Sequence, residues 1–354
     1  MRIPGSIVRV PRFDLRADAR VRAEETKPLV TPFSAAYSSP DATRGEAQGG
    51  LAVDVYLIRP VAASGHHVAA TVEARRSYTH FRANGLRSFP DTTLGRIASA
   101  NYHPSALRAS LQWAAGESTL RQTVALATRL EQRAPTSGEL LGDNLGVISK
   151  MDLKPEEARS LTLSHTLSGL FAESGVRPSL QSTVFSNTYR DPIRLKAHGA
   201  SAFMRYENDA NYRAVGFESL ASLDSRFVET SVSWTSQEVS VSEGLYKGNQ
   251  PAYQSPVEWH AEFFVKPVTD PVASVRLGML ADYRSAYYPG DANIPDSRRD
   301  AEWEFGAHAD AQFGTGSPIR LAVDARNLTD HHYRDFAYSP RSGRSYALSF
   351  SFTL

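Results

Sequence analysis

The sequence predicts an all-β protein, a transmembrane antiparallel β-barrel of about 14 strands, and three observations carry that prediction. Apolar and polar residues alternate with period two along much of the chain, which is typical of strands with two different faces. Most of these segments reach the ~9–11 tilted residues that cross a bilayer, against ~5–6 residues for strands of soluble sheets. The joints between them are alternately short and long, as in outer-membrane barrels, whereas a soluble sandwich has no reason to sort its loops in this way.

Taken in order, the chain is a series of predicted strands separated by these two kinds of joint. Strands are predicted near 6–20, 48–59, 66–81, 92–113, 118–131, 156–168, 177–190, 199–223, 227–237, 256–266, 272–284, 301–313, 318–328 and 343–354. The short joints are 60–65, 114–117, 169–176, 224–226, 267–271 and 314–317, and the long ones are 21–47, 82–91, 132–155, 191–198, 238–255, 285–300 and 329–342. Aromatic residues near strand ends, such as Trp303 and Phe313, match the interfacial girdles of membrane barrels.

The composition excludes several classes of protein. The 354 residues include no Cys, which excludes a disulfide scaffold, thiolate-ligated zinc, iron–sulfur clusters and a Cys nucleophile. The 39 Lys and Arg are balanced by 38 Asp and Glu, so bulk charge does not favour a nucleic-acid partner. No run of about 18 apolar residues occurs, so a transmembrane helix is not expected. The mean hydropathy of −0.36 is compatible with a barrel, because half of each strand faces a polar lumen.

Motifs of catalysis are missing from the sequence. There is no Gly-x-Ser-x-Gly, no His-Glu-x-x-His, no phosphate-binding glycine loop and no Ca²⁺ loop. The pairs His331-His332 and His66-His67 are weak metal signals, since adjacent residues on a strand point to opposite faces. We therefore expect a protein that is not an enzyme and that uses no metal or cofactor.

Four sequence words between residues 133 and 354 carry a resemblance to a known family. The last contains Asn327, Leu328, Asp330 and Tyr333, then Gly343 and Arg344, and ends in an aromatic-alternating strand. Upstream lie Arg133, Pro135, Glu139 and Leu140, the stretch DLKPEE at 152–157, and Asn211, Gly216 and Glu218. In this order the words resemble those of TonB-dependent outer-membrane receptors. Thr329 stands where the family usually has Phe, and the chain ends on Leu354 rather than the more usual Phe.

The resemblance implies both a fold and a function. Family members combine an N-terminal plug with a 22-stranded barrel, and they import ferric siderophores, cobalamin or similar scarce ligands with energy from the TonB complex. It implies a receptor of the Gram-negative outer membrane, and a ferric siderophore is the expected ligand. Its partners would be that ligand, the TonB complex acting through a plug, the barrel-assembly machinery and the lipid bilayer.

The front of the chain departs from that design. Residues 1–25 form no signal peptide, and residues 1–132 carry only the barrel pattern, without a TonB box or a plug. We therefore expect residues 1–354 to be a partial barrel domain, resembling the last part of the 22-stranded barrel and not transport-competent alone.

The predicted site residues form three groups. Arg forks and Tyr rings in two long loops suit an anionic, aromatic ferric chelate, and the candidates are Tyr287, Tyr288, Arg298, Arg299, His331, His332, Tyr333, Arg334 and Arg341. The residues expected to face the lumen or the plug are Gly216, Glu218, Glu302, Glu304, His308 and Asp310. By the resemblance, the last strand is the assembly signal, through Tyr346, Leu348, Phe350, Phe352 and Leu354. Pro155 is expected at a strand start, and Asn327 and Asp330 are expected to cap the loop that follows them.

Two other interpretations remain open from the sequence. A stand-alone passive outer-membrane pore fits an even strand number and a charged lumen. A soluble β-rich binding protein also fits the alternation. Conductance in a planar bilayer would distinguish the pore, and purification from cytosol without detergent would distinguish the soluble protein.

Overall fold

A computed structural model describes most of the chain. The described residues are 12–26, 41–58, 67–86, 96–116, 119–141, 147–148, 150, 152–197, 204–269, 272–314, 319–331, 334–336, 339–340 and 343–352. Within these ranges, no helix has the length and apolar character needed to cross a membrane.

The described residues are almost entirely strands. In the first half these are β1 Arg12–Thr26, β2 Asp41–Ile58, β3 His67–Leu86, β4 Arg96–Tyr102, β5 Ser105–Gly116, β6 Leu120–Arg133, β7 Val147–Ile148, β8 Glu156–Gly169, β9 Arg177–Arg190 and β10 Ile193–Ala197. In the second half they are β11 Met204–Asn208, β12 Tyr212–Asp224, β13 Val228–Val241, β14 Val257–Thr269, β15 Ala273–Arg284, β16 Glu302–Phe313, β17 Ile319–Arg326, β18 Arg334–Phe336, β19 Ser339–Pro340 and β20 Ser345–Phe352. A short helix, α1, spans Ser137–Leu141, and one 3₁₀ turn spans Pro295–Ser297.

One large antiparallel sheet contains 15 of these strands. Its neighbours run β1-β2-β3-β5-β6-β8-β9-β12-β13-β14-β15-β16-β17-β20, and β4 also pairs with β3. Strands β1 and β20 end this path, and among the described strands no pairing joins them. The remaining strands form a three-stranded sheet, β10-β11-β7, and a two-stranded one, β18-β19. The prediction of an all-β chain of about 14 sequential antiparallel strands is confirmed.

The alternation of short and long connections is also confirmed. The turns 170–176 and 225–227 are short, whereas the connections 134–155, 191–211, 242–256, 285–301 and 327–344 are long and contain β7, α1, β10, β11, β18 and β19. All the long connections leave the same end of the antiparallel strands, which we call the loop end. The opposite end is called the turn end.

Two predicted strands are divided in the structure. The segment predicted near 92–113 is two strands, β4 and β5, interrupted at His103 and Pro104. Pro104 has no N–H for the ladder, and its carbonyl accepts a hydrogen bond from Ser77 N at 2.9 Å instead.

At the front of the chain, β1 spans Arg12–Thr26 rather than 6–20, and β2 begins at Asp41 rather than near 48.

The single strand predicted near 199–223 is also wrong. Met204–Asn208 pairs with β10 and β7 outside the large sheet, and β12 begins only at Tyr212. The polar run from Asn208 to Asn211 separates them. In it, Asp209 accepts a hydrogen bond from Ala210 N at 2.7 Å, and Asn208 bonds to the backbone of Lys154, so local side-chain bonds compete with the ladder.

The large sheet has two chemically different faces. Leu161, Val184, Leu277 and Trp303 point to one face with about half of their surface exposed, and we call this the apolar face. The alternate positions carry charged and hydroxyl side chains that pair with one another, and we call this the polar face. An exposed apolar face on this scale is what a strand wall presents to lipid.

An aromatic row crosses four strands of the apolar face. Trp234, Trp259, Tyr283 and Trp303 are successive register partners on β13 to β16. The rings of Trp234 and Trp259 stack at 5.3 Å between centroids, and those of Tyr283 and Trp303 lie 4.7 Å apart. Along β16, the eleven residues from Trp303 to Phe313 span ~33 Å, or ~25 Å across a bilayer at a tilt of ~40°, which matches the apolar band of membrane barrels.

Glycines on the polar face are covered by aromatic rings of the neighbouring strand. Phe185 lies opposite Gly216, and Phe264 lies opposite Gly278. A Cβ placed on Gly216 would be 2.7 Å from the Phe185 ring, and one on Gly278 would be 2.1 Å from the Phe264 ring. Both rings are buried, so the glycines allow them to pack flat on the wall.

We predict that Gly278→Ala destabilises the sheet. Although an alanine reduces the entropy of the unfolded chain, the clash with Phe264 is expected to cost more, giving a net loss of about 1–3 kcal/mol. The measurement is the free energy of unfolding in detergent. The control is Gly290→Ala, because a Cβ there has no heavy atom within 4 Å. Equal stability of both variants would contradict the packing role of Gly278.

Candidate functional site

The connections 242–256 and 285–301 form one interlocked unit at the loop end. Ala252 N donates to Asp291 Oδ1 at 2.7 Å, Asn249 Nδ2 donates to the Asp291 carbonyl at 2.9 Å, and Tyr253 N donates to the Tyr288 carbonyl at 2.8 Å. Tyr253 has a positive φ of 59°, which is unusual for a bulky residue and shows that the surrounding contacts fix its backbone. These hydrogen bonds therefore fix the two loops to each other.

The four predicted ligand residues in 285–301 have different environments. Tyr287 is buried, with its ring 6.3 Å from that of Tyr253, and its backbone pairs in both directions with Arg299 at 3.1 and 2.8 Å. These two residues therefore hold the unit together. Arg298 is exposed, and its guanidinium lies 6.0 Å from the centroid of the half-buried Tyr288 ring. Tyr288 and Arg298 are the pair that this unit presents outward.

The Asn327 turn accounts for another predicted feature. Asn327 is 2% exposed, its Nδ2 donates to the His331 carbonyl at 2.9 Å, and its Oδ1 accepts from His331 N at 2.9 Å. Asp330 Oδ1 accepts from Arg344 N at 2.9 Å. The predicted capping by both Asx residues is confirmed.

The other predicted ligand residues all lie in the connection 329–342. His331 lies exposed in the Asn327 turn. Arg334 begins β18, but its side chain lies outside the description, as do His332, Tyr333 and Arg341.

A second unit at the loop end is built around Arg133, the last residue of β6. Its guanidinium donates to both oxygens of Glu139, at 2.8 and 3.1 Å, and to Glu156 at 3.4 Å. Thr136 N donates to Glu139 Oε2 at 2.7 Å, and Glu139 N donates back to Thr136 Oγ1 at 3.3 Å. This reciprocal pair is a capping box that starts α1.

An apolar cluster lies beneath this unit. It comprises Phe81, Tyr102, Ala134, Leu140, Leu153 and Ile193, which come from four separate stretches of the chain. Tyr102 Oη donates to the Leu153 carbonyl at 3.1 Å. Pro155 directly precedes β8, as predicted, so its missing N–H costs the ladder nothing.

A continuous chain of ion pairs crosses the turn half of the polar face. Lys266 on β14 contacts Asp224 at 2.5 Å and Glu229 at 3.2 Å, and Arg276 on β15 bridges Glu229 at 3.4 Å to Asp310 at 2.9 Å. Two of the predicted lumen residues therefore lie in one network, because His308 contacts Asp310 at 2.9 Å and Asp324 at 2.7 Å. The network joins β12 to β17, and Arg177, 3.9 Å from Asp224, and Arg320, 3.8 Å from Asp310, bring its Lys and Arg residues to four against four carboxylates.

The loop half of the same face is more acidic. His260 lies between Asp282, at 2.6 Å, and Glu262, at 3.1 Å, and Arg284 is 3.6 Å from Glu258 and 4.0 Å from Glu302. Glu304 also lines this wall, and an open cavity of about 200 Å³ is bordered by Glu258, His260, Asp282, Arg284, Glu302 and Glu304. Glu302 and Glu304 thus lie on the predicted face.

A third ionic chain was not predicted. Glu73 on β3 contacts Arg75 and lies 3.9 Å from Arg108 on β5, and Arg108 lies 3.7 Å from Glu131 on β6, which also contacts Arg129. Each residue has the parity of its strand's polar face, and that parity was the available signal. What the sequence lacks is the register that places Arg108 between Glu73 and Arg129, with Glu131 opposite the nearby Ala106.

Gly216 and Glu218 both lie on the polar face of β12, opposite Gln237 and Thr235. The space above Gly216 is filled by the Phe185 ring of the wall itself. The packing that requires glycine here is therefore intramolecular. A role of Glu218 in contacting a plug stays a prediction.

The last strand, β20, pairs on one side with β17. Tyr346, Leu348, Phe350 and Phe352 share its apolar face and are 59–77% exposed, and Leu354 lies outside the described residues. Their use as an assembly signal stays a prediction.

No cluster of three or more His, Asp or Glu side chains in the described part of the chain is arranged to hold a metal ion. The chemistry that these faces offer is ionic, hydrogen-bonding and aromatic contact.

A sequence model of the family described as "TonB dependent receptor-like, beta-barrel" matches residues 14–328. The chain belongs to this TonB-dependent receptor β-barrel family. The family consists of transport receptors rather than enzymes and is located in the Gram-negative outer membrane. No curated protein matches the chain.

Solved TonB-dependent receptors have the same fold at low sequence identity. The siderophore receptor PiuA of Acinetobacter baumannii is 16% identical, with a TM-score of 0.59 over 88% of this chain and 44% of its own. The ferric-catecholate import receptor Fiu of E. coli K12 is 12% identical, with a TM-score of 0.57 over 96% and 51%. The ferric yersiniabactin uptake receptor FyuA of Yersinia pestis is 14% identical, with a TM-score of 0.54 over 95% and 49%. The chain spans about half the length of these receptors.

In this TonB-dependent receptor barrel, the sequence words carry structural roles at the loop end. Arg133 and Glu139 form a bidentate ion pair, which we call the Arg133–Glu139 clamp. Leu140 is buried in the cluster beneath it, and Asn211 Oδ1 accepts from Asp191 N at 2.9 Å. The contacts of these residues are hydrogen bonds and packing within the chain itself.

The Arg133–Glu139 clamp predicts a pH dependence. Burial acts to raise the pKa of the Glu139 carboxyl, but hydrogen bonds from Arg133 and Thr136 outweigh it and hold the pKa below its ordinary value. Because the folded-state pKa is depressed, this stabilisation is present above the unfolded pKa of about 4.5 and is lost as pH falls through the folded value.

We therefore predict that Glu139→Gln lowers the free energy of unfolding by about 1–2 kcal/mol at pH 7, and that this deficit is smaller at about pH 3. Denaturant unfolding in detergent at both pH values is the measurement. Glu243→Gln, an exposed carboxylate of the 242–256 connection, is the control. A deficit that is the same at both pH values would rule out the ionised clamp.

Proposed function

We propose that residues 1–354 form a partial barrel domain of an outer-membrane uptake receptor whose ligand is a ferric siderophore. Family membership supports the receptor class, and the two-faced wall supports a chain that spans the membrane. The chemistry of the ligand is inferred from the loop end. An Arg guanidinium beside an aromatic ring suits an anionic aromatic chelate, because the guanidinium donates charge-assisted hydrogen bonds and the ring stacks on the chelate.

The Tyr288–Arg298 pair is the observation that carries this proposal. Its guanidinium and ring are 6.0 Å apart on a loop unit whose backbone is fixed by Asp291 and Tyr253. Because these hydrogen bonds restrain the backbone of the unit, a ligand would lose little conformational entropy by binding there. Glu218, Glu302, Glu304 and the His308–Asp310 network would then line the path of the ligand.

The proposed partners follow from this role. Energy would come from the TonB complex through a plug, the barrel-assembly machinery would recognise β20, and lipid would cover the apolar face. Passive conduction through the chain alone is the competing function, and conductance in a planar bilayer would reveal it.

The first test measures direct binding of ferric tris-catecholate and tris-hydroxamate chelates to the purified chain. Quenching of Trp fluorescence is the readout. We expect Arg298→Gln to weaken binding about tenfold, since a charge-assisted contact is worth roughly 1.5 kcal/mol. Arg226→Gln at the turn end removes the same charge and is expected to bind as the unmodified chain does. Binding that is unchanged by Arg298→Gln would refute the proposed contact.

The second test concerns energy coupling. The chain alone is expressed in a Gram-negative cell that lacks its own siderophore receptor. We expect that it does not restore TonB-dependent uptake of radioactive iron. The reason is that the resemblance assigns coupling to a plug, and residues 1–132 carry only the barrel pattern. Uptake that returns and then disappears on deletion of TonB would overturn this expectation.

A further inference from the structure

An arginine patch lies on the apolar face, at the loop ends of three adjacent strands. It consists of Arg159 on β8, Arg190 on β9 and Arg213 on β12. Arg159 and Arg213 are both register partners of Thr188, from opposite sides, so their Cα atoms are about 10 Å apart across two strand spacings. Arg190 is two residues beyond Thr188 and points to the same face.

The charge of the patch is only partly neutralised. Glu157 contacts Arg159 at 2.8 Å and Arg190 at 3.9 Å. Arg213 has no ion-pair partner among the described residues, and the other nearby carboxylate of this face, Glu238, lies beside Val215 in register. All three arginines are exposed, Arg159 and Arg190 by 53% and 54% of their side chains. The patch therefore keeps a net positive charge and free N–H donors.

Its position relative to the apolar band is the second observation. The next row toward the turn end contains Leu161 and Val215, and the row after it contains Leu163, Val184 and Phe217. Leu161, Leu163 and Val184 are each about half exposed. Arg190 ends β9 and Arg213 is the second residue of β12, which places them at the same strand ends as Trp303 of the aromatic row.

This arrangement matches the two-part chemistry of a lipid. Acyl chains would cover the leucine and valine rows, and a headgroup phosphate would sit at the height of the arginines, whose planar forks bind phosphate oxygens in a bidentate manner. A cargo inside the lumen does not reach this face, because the polar and apolar faces lie on opposite sides of the sheet. Glu157 serves to hold Arg159 and Arg190 side by side.

We propose that Arg159, Arg190 and Arg213 bind the phosphate of a phosphorylated lipid headgroup in the outward leaflet of the membrane. The site is separate from the proposed uptake of a ferric siderophore and does not depend on it. Basic groups near a membrane surface contribute ~1 kcal/mol each toward an anionic headgroup. Losing two of the three arginines is therefore expected to weaken lipid binding on the order of 30-fold.

The test uses the chain purified in a non-ionic detergent, with diphosphoryl and monophosphoryl lipid A as probes and native mass spectrometry as the readout. We expect the diphosphoryl form to bind more tightly, the affinity to fall with added salt, and inorganic phosphate at millimolar concentration not to displace it. The double variant Arg190→Gln/Arg213→Gln should lose about 30-fold. The matched control Arg177→Gln/Arg226→Gln removes the same charge at the turn end and should bind normally.

Three results would overturn the proposal. These are equal binding of the two lipids, displacement by inorganic phosphate alone, and equal binding by the two double variants. If the patch variant does not fold, as judged by heat-modifiable migration on gels, the lipid comparison and the salt dependence of the unmodified chain still decide the matter. None of these measurements involves siderophore binding, so failure here leaves the proposed uptake function untouched.

Discussion

The cross-strand register of the large sheet is the constraint on which the other features depend. Because side chains alternate with period two, each register pair fixes which residues share a face. Between β14 and β15 the register sets Phe264 over Gly278, and between β15 and β16 it sets Arg276 opposite Asp310. A slip of one residue would move these charges to the face of Leu277 and Met279. An arginine on a lipid-facing surface costs ~2–4 kcal/mol at mid-membrane depth, so the alternative registers are excluded strongly.

The two loop-end units show how long connections become ordered without a sheet to support them. One is held by backbone bonds that converge on Asp291 and on the buried Tyr287 ring, and the other by the bidentate contact of Arg133 with Glu139 above an apolar cluster. In both units, polar side chains that are hydrogen-bonded within the network hold backbone groups that would otherwise bond to water. Among the described side chains at this end, Arg298 is exposed and lies beside the half-buried Tyr288 ring.

The sequence predicts more of this molecule than local propensity would, because alternation and loop length both depend on the membrane. It placed β8, β9, β15 and β16 within one residue at each end, and it identified the Asx caps of the Asn327 turn. It failed at 199–223, where polar residues between Asn208 and Asn211 bond to distant backbone. It also failed to separate Tyr287 from Tyr288, since neighbours in sequence become buried or outward only through contacts with another loop.

The ion pairs already present on the polar face limit the free energy that a charged ligand could gain by binding there. Lys266, Arg276 and Asp310 already have partners within 2.5–3.4 Å, so a charged ligand passing along the turn half of the wall must displace an existing ion pair to gain one. Such an exchange yields little net free energy, because exposed pairs are worth about 0–1 kcal/mol each. A wall of this kind does not hold a ligand tightly. The proposed contact with a siderophore is therefore assigned to the loop end, where Arg298 lies beside the Tyr288 ring.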